Sequence, residues 1–415
     1  MRASRQASRS AGRLRLGLAL GFVVALTAAG CGGPAASRTP GSPTSAPGTT
    51  VAPASTGPTL TTTPTTVPPG SPALAGTWQL LPQAPLSGEM YQQEGVWDGT
   101  DMLIAGRVTL NDPPYVRDVL AAYDPAPDTW TTLTGGPGPE GNYEGGDRAV
   151  WTGKEMLLWG VTNTAYKPAT KTWRKLPEPP AGGGGPSVIV WTGTQMIGWG
   201  GGCCGESYAD GAAYTPATNT WKKLPAAPLS GRHAMGAWTG TEMLVFGGDA
   251  DHPDNGTTGV SADGAAYEPV TRSWRKLPPM PVPRAGGQVV WDGTEVLVVG
   301  GSGKGPAFRA IARGVAYNPT TNRWRWLAPM RFPRQGHVAV WTGSRLLVWG
   351  GLTKTGTQPH GEAYDPATDT WSALPKAPLK GRSYAIVVWT GVRMVVWGGQ
   401  TDQGVRLDGA WYKPA

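Results

Sequence analysis

Apolar residues in this chain arrive in short bursts, set between tight polar turns and closed by glycine. MLVFGG at 243–248, VLVVGG at 296–301 and LLVWGG at 346–351 are apolar on both alternations, as strands buried on both faces should be. Upstream of each lies a W-[TD]-G turn whose Thr-Gly or Asp-Gly suits positive φ, so GAWTGTEMLVFGG at 236–248 reads as strand, turn, strand. Downstream come AYTPATNTW (213–221), AYEPVTRSW (266–274) and AYDPATDTW (363–371). Each predicts a third strand, a turn with Pro at its second corner, and a fourth strand starting near Trp. The glycine pair stops the second strand and permits close backbone approach.

Two spacings hold along the chain. Trp97, Trp151, Trp191, Trp238, Trp291, Trp341 and Trp389 each have a Gly nine positions on, doubled in the last five. Tyr and Trp stand seven apart at 123/130, 166/173, 214/221, 267/274, 317/324 and 364/371. Four strands per unit of about 48 residues describe a propeller blade rather than a solenoid coil. The expected fold is all-β: a seven-bladed β-propeller of four-stranded antiparallel blades over residues 76–415.

Seven inner strands require seven outer ones, yet only six Tyr–Trp pairs are complete. Tyr412, in the terminal AWYKPA, lacks its Trp, whereas GTWQLLPQAPL carries Trp78 with no Tyr before it and matches DTWSALPKAPL. Residues 76–82 are therefore expected to be the outer strand of the last blade, whose other three come from 383–415. Such a clasp joins the termini and removes a free sheet edge.

The Gly-Gly after an apolar strand, the spaced Tyr and Trp and the following LP.AP resemble the Kelch repeat, across 76–415. In blades one and two Gly106-Arg107 and Gly160-Val161 replace the double Gly. The resemblance implies the fold and says little of activity. Galactose oxidase, the Kelch-fold copper enzyme, implies two His and two Tyr as ligands, one Tyr cross-linked to Cys. His233, His252, His337 and His360 lie in blades four and six and the paired cysteines in blade three, so no such constellation carries over. Kelch-fold sialic acid mutarotases need only acids, bases and Arg in the channel, for which Glu144, Arg284 and His337 are available.

Composition changes the picture at the N-terminus. The net charge of +8 includes five arginines and no acid in residues 1–30, followed by the apolar LGLALGFVVALTAA. That is the form of an export signal, too short for an ordinary membrane span, and the basic balance gives no reason to expect nucleic acid. AAGC resembles a lipobox, with Ala28 in place of the usual Leu, and implies that Cys31 is lipidated; a plain secretory signal is the alternative. Residues 31–75 are Pro-, Thr- and Ser-rich and read as a disordered stalk reaching ~35–130 Å. The expectation is an extracytoplasmic protein held at the cell membrane by lipidated Cys31.

Along the propeller the a–b and c–d turns, counting strands a to d outward, hold constant length. The Gly-to-Tyr interval spanning the b–c loop runs from 6 residues in blade two to 20 in blade four. Variable loops carry function more readily than invariant turns, so the b–c and d–a face is the expected binding surface. Arg232, Arg284, Arg334 and Arg382 fall near one position before strand a in blades four to seven. Glu89, Glu94, Glu140, Glu144 and Asp147 occupy that region in blades one and two. A mouth with this polarity suits a zwitterionic or polyhydroxylated ligand; alternatively the arginines bond loop carbonyls and hold blades together. The candidate binding set is Arg232, Arg284, Arg334, Arg382, Glu89, Glu144 and His337. Adjacent Cys203 and Cys204 suggest a vicinal disulfide, acting as a loop staple or a redox-sensitive ridge, with two free thiols as the other state. DADHPDNG at 249–256 departs from calcium-loop spacing and reads as a solvated turn. With no metal or cofactor motif and no catalytic triad, the chain reads as a monomeric binding module for a glycan, peptide or envelope partner. The other reading is a cofactor-free carbohydrate-active enzyme.

Overall fold

The computed structural model of the protein describes residues 73–86, 90–109, 116–133, 147–180, 185–202, 207–250, 259–303 and 309–415. Cys31, Glu89, Glu140, Glu144, Cys203, Cys204 and most of the 249–256 loop lie outside the described residues.

Seven antiparallel sheets each carry strands a to d, in sequence order in blades one to six. Blade one is Met90–Trp97, Met102–Thr109, Val116–Asp124 and Thr129–Leu133. Blade two is Arg148–Trp151, Met156–Trp159, Thr164–Lys167 and Thr172–Lys175. Blade three is Val188–Trp191, Met196–Trp199, Gly211–Thr215 and Thr220–Lys223. Blade four is His233–Trp238, Met243–Ala250, Gly264–Glu268 and Ser273–Leu277, with Gly259–Val260 added beside its second strand. Blade five is Ala285–Trp291, Val296–Ser302, Arg313–Asn318 and Arg323–Pro329. Blade six is Val338–Trp341, Leu346–Trp349, Gly361–Asp365 and Thr370–Ala373.

Blade seven is Ile386–Trp389, Met394–Trp397 and Gly409–Pro414, completed by Gly76–Leu80. Trp78 lies opposite Tyr412, ring centroids 5.2 Å apart, where the other six Tyr–Trp pairs sit 5.0–5.1 Å apart. The seventh aromatic pair is thus made across the ends of the chain. Ordered contacts begin slightly before the expected boundary: Leu74 N donates to Ala373 O, and Ala75 O accepts from Ala415 N.

Innermost strands touch in the order one to seven and back to one, so the sheets form a closed ring. The core sits between blades: one cluster fills each of the seven seams. In one of them Val188 and Val190 of blade three pack on Met243, Val245 and Tyr267 of blade four. This explains why strand b is apolar on both alternations: each of its faces meets a different neighbour.

An outer girdle repeats the same logic with polar groups. In six of the seven blades the strand-d Trp donates Nε1 to a carbonyl of the preceding blade. Trp221 bonds Pro177, Trp274 bonds Pro225, Trp324 bonds Pro278 and Trp371 bonds Ala328, whereas Trp173 of blade two has its Nε1 buried without a partner among the described residues. Trp78 donates to Pro375 O, and Trp130 to Pro82 O just beyond Trp78, so the N-terminal strand is tied on both sides. The acceptor is the Pro of the LP motif after the Trp in five of these bonds and Ala328 of LAP in the sixth.

Candidate functional site

The four arginines before strand a are buried, and most of their donors are spent inside the blades. Arg334 gives Nη1 to Gly350 O and His360 O and pairs with buried Glu362 at 2.9 Å. Arg382 bonds Gly398 O, Asp408 O and the Asp408 carboxylate. Arg232 pairs with Asp263 at 2.5 Å. Among the described residues Arg284 has no carboxylate partner; it bonds Gly300 O and Arg313 O with Nε left unbonded, and burial pushes its pKa down to about 10, so it stays charged at neutral pH. Each arginine's own carbonyl accepts from the second Gly of the preceding blade: Gly201, Gly248, Gly301 and Gly351. One residue thus brackets its own blade and stitches it to the last. The glycine pair is required here. Both residues hold positive φ, and a Cβ on Gly248 would collide with the His233 carbonyl.

The same register is filled differently in blades two and three. Asp147 accepts from Thr162 N and Oγ1, both at 2.9 Å; burial raises its pKa, while the Thr162 bonds and Arg107 oppose the rise. In blade three the Ser187 hydroxyl donates to Trp199 O and accepts from Ala234 N of blade four. Asp210 stands where Asp263 and Asp408 meet their arginines, and its partner is Lys223 at 3.4 Å.

The central channel holds a cavity of about 570 Å³ lined by the last three residues of all seven inner strands. Above it, Glu94 and Arg148 are the carboxylate and guanidinium carried by the innermost strands, paired at 2.9 Å across the seam of blades one and two. Their side chains are 25% and 45% exposed, so this pair reaches solvent in the channel whereas Arg334–Glu362 does not. Burial raises the Glu94 pKa, and Arg148 works against it.

At the b–c and d–a face the mouth is narrowed by backbone bonds between neighbouring blades: Gly336 N to Gly286 O, and Tyr384 N to Gly336 O at 2.7 Å. Gly286, Gly336 and Tyr384 occupy one position, two residues after the bracketing arginine, and all have φ between 54° and 63°. For the two glycines this costs nothing. For Tyr384 it costs about 1–2 kcal/mol, and the ring is 61% exposed. Short hairpins of the b–c loops, Leu352–Thr353 with Gly356–Thr357 and Gln400–Thr401 with Gly404–Val405, bridge back to Gln335 and Ser383 beside this mouth.

His337 is buried one residue deeper, neither ring nitrogen having a hydrogen-bond partner. Desolvation, aided by the Arg334 charge, lowers its pKa to about 3. Of the expected site residues, then, the structure gathers the four arginines and His337 around one face but beneath the surface. Sequence reasoning overlooked Arg148 and Tyr384. The signal for Tyr384 was present: R-x-G in blades five and six becomes R-x-Y in blade seven. The seven tryptophans of the W-[TD]-G turns are half-buried, packing against the seam clusters while also lining the channel. Among the described residues no cluster of His, Cys, Asp and Glu is arranged to hold a metal.

No protein-family model matches the chain, and no curated protein matches it at a significant level.

Proposed function

We propose that this propeller is a non-catalytic binding protein of the cell envelope, Kelch-like in its repeat. In this reading Cys31 tethers it to the membrane and a Pro/Thr/Ser-rich stalk lifts it away, and it engages a polar partner at the mouth formed by the d–a and b–c connections. The observation that carries the reading is Tyr384: a bulky aromatic held at positive φ and exposed, where its counterparts in blades five and six are glycine. The ring rests on Gly336 of blade six with most of its surface left open, and strain retained at a ring so exposed is what a contact residue presents. Glu94 and Arg148 below it supply opposite charges for a zwitterionic or hydroxyl-rich group.

The test compares wild type with Tyr384→Gly on arrays of zwitterionic, glycan and peptide probes, alongside a denaturant melt. Relief of the left-handed strain is expected to raise stability by up to about 1 kcal/mol, offset in part by glycine's larger unfolded-state entropy, while binding falls at least tenfold. Undiminished binding by the glycine variant would remove the mouth as the site. A second reading, a cofactor-free carbohydrate-active enzyme, is favoured by one feature: the raised pKa of Glu94 in a solvent-reachable channel suits proton transfer. Glu94→Gln separates the two, since binding without turnover in both proteins excludes catalysis.

A further inference from the structure

The cavity of about 570 Å³ lies at the other end of the channel, toward the invariant a–b turns and away from Tyr384. Its lining combines three features. The first is a ring of seven tryptophans, Trp97, Trp151, Trp191, Trp238, Trp291, Trp341 and Trp389, one from each blade and all half-buried. The second is a wall of Gly, Ala, Val and Ile with no charged side chain. The third is backbone. In every blade the residue after this Trp donates its N–H across the turn, as Thr239 N does to Glu242 O and Thr390 N to Arg393 O. Antiparallel pairing alternates, so the Trp itself and the residue two before it turn their N–H and C=O away from strand b, into the channel. Strand a has no neighbour on that side.

The indole nitrogens sharpen the point. On the outer girdle, Trp78, Trp130, Trp221, Trp274, Trp324 and Trp371 each place Nε1 on a carbonyl. Among the described residues the seven channel tryptophans donate no such bond, and their nitrogens are not among the buried unpartnered atoms. Packing between blades accounts for the rings but leaves this crown of outward-turned donors unused.

We infer that this a–b mouth is a second ligand site, and that its ligand is a neutral saccharide of a few sugar rings. A charged ligand finds no counter-ion in the lining. A purely apolar one would seal backbone and indole donors away from water without a partner, which is costly. A sugar ring offers apolar C–H faces to the indoles and hydroxyls to the N–H and C=O groups, meeting both demands.

The experiment titrates the full-length exported protein with maltotriose, with chitotriose and, as the apolar control, with decanol, following the indole N–H resonances. The expected result is a saturable shift, by at least one trisaccharide, confined to the channel tryptophans. Trp191→Phe with Trp341→Phe, which keeps the rings and deletes two donors, should weaken binding about three- to tenfold. Ala339→Glu, which puts a charge into the neutral wall, should weaken it more than tenfold. If the glutamate variant fails to fold, the phenylalanine pair carries the test. Binding of decanol with no response to either sugar, shifts spread equally over the outer girdle, or undiminished affinity in the phenylalanine pair would each overturn the inference. The mouth at Tyr384 stands or falls separately, since it lies at the opposite end of the channel.

Discussion

Blades four to seven and blades one to three share their apolar seams and, except at Trp173 of blade two, their Trp–carbonyl girdle, yet they are tied at the channel in different ways. In the first group an arginine buried at the start of strand a spends its donors on its own blade, and its carbonyl on the blade before. In the second, Asp147 accepts from Thr162 with the charge of buried Arg107 acting on it, and Ser187 makes a neutral link to blade four. The difference teaches where charge is free to act. Once an arginine brackets a blade it is lost to any ligand. The solvent-reachable inner-strand pair, Glu94–Arg148, is found where brackets are missing. Repeat architecture supplies cohesion many times over, and the seams that need least from their charges are those that can offer them.

The comparison breaks most severely where the two groups meet. Gly76–Leu80 is the outer strand of blade seven, and Pro82 accepts from Trp130 of blade one. Deleting residues 76–82 exposes the edge of Gly409–Pro414 and removes Trp78 from its seam. The expected loss is several kcal/mol, or failure to fold, read by thermal and urea melts. An unchanged melt would show that the ring does not depend on its clasp.

Next in size is the contrast between brackets. Arg334→Met leaves buried Glu362 without its counter-charge, keeping only the Arg331 N–H, and two carbonyls without their donor, which costs about 3–5 kcal/mol. Asp147→Asn keeps most of the shape and one acceptor, so about 1 kcal/mol is expected. Equal losses in urea melts would erase the distinction between the groups.

Within the narrow window from pH 7 to 5 a more modest effect is a pH dependence in the bracketed half. His337 is held neutral by burial, with a folded pKa near 3 against an ordinary 6.5. Above pH 6.5 both folded and unfolded forms are neutral there and nothing is lost. Below it the unfolded chain takes up the proton that the native state refuses, so stability falls by about 1.4 kcal/mol per pH unit down to about pH 3. The lowered pKa values of Asp263 and Asp408 remove further stability only at more acidic pH. Between pH 7 and 5, His337→Leu should flatten the slope whatever its absolute stability; an unaltered slope would assign the proton uptake elsewhere.

The blade count, the strand order and the terminal clasp were legible because each rests on a strict local spacing. W-[TD]-G fixes a hairpin, Tyr and Trp seven apart become cross-strand partners, and a Tyr without a Trp at one end answers a Trp without a Tyr at the other. The role of the arginines was half legible. Their recurrence was plain, but whether they met solvent or carbonyls depended on how deeply the d–a connection dips between blades. Asp263 and Asp408, four residues before an aligned Tyr, were the available clue.

What the sequence by itself determined was the repeating unit, since turns, alternation and aromatic spacing act over a few residues. Closure decided the rest. Tyr384 sits over a mouth, Glu94 meets Arg148, and seven tryptophans ring one cavity only because seven separate strands converge on one axis. Convergence of that kind is a property of the whole circle: it joins residues hundreds of positions apart, and no local spacing encodes it.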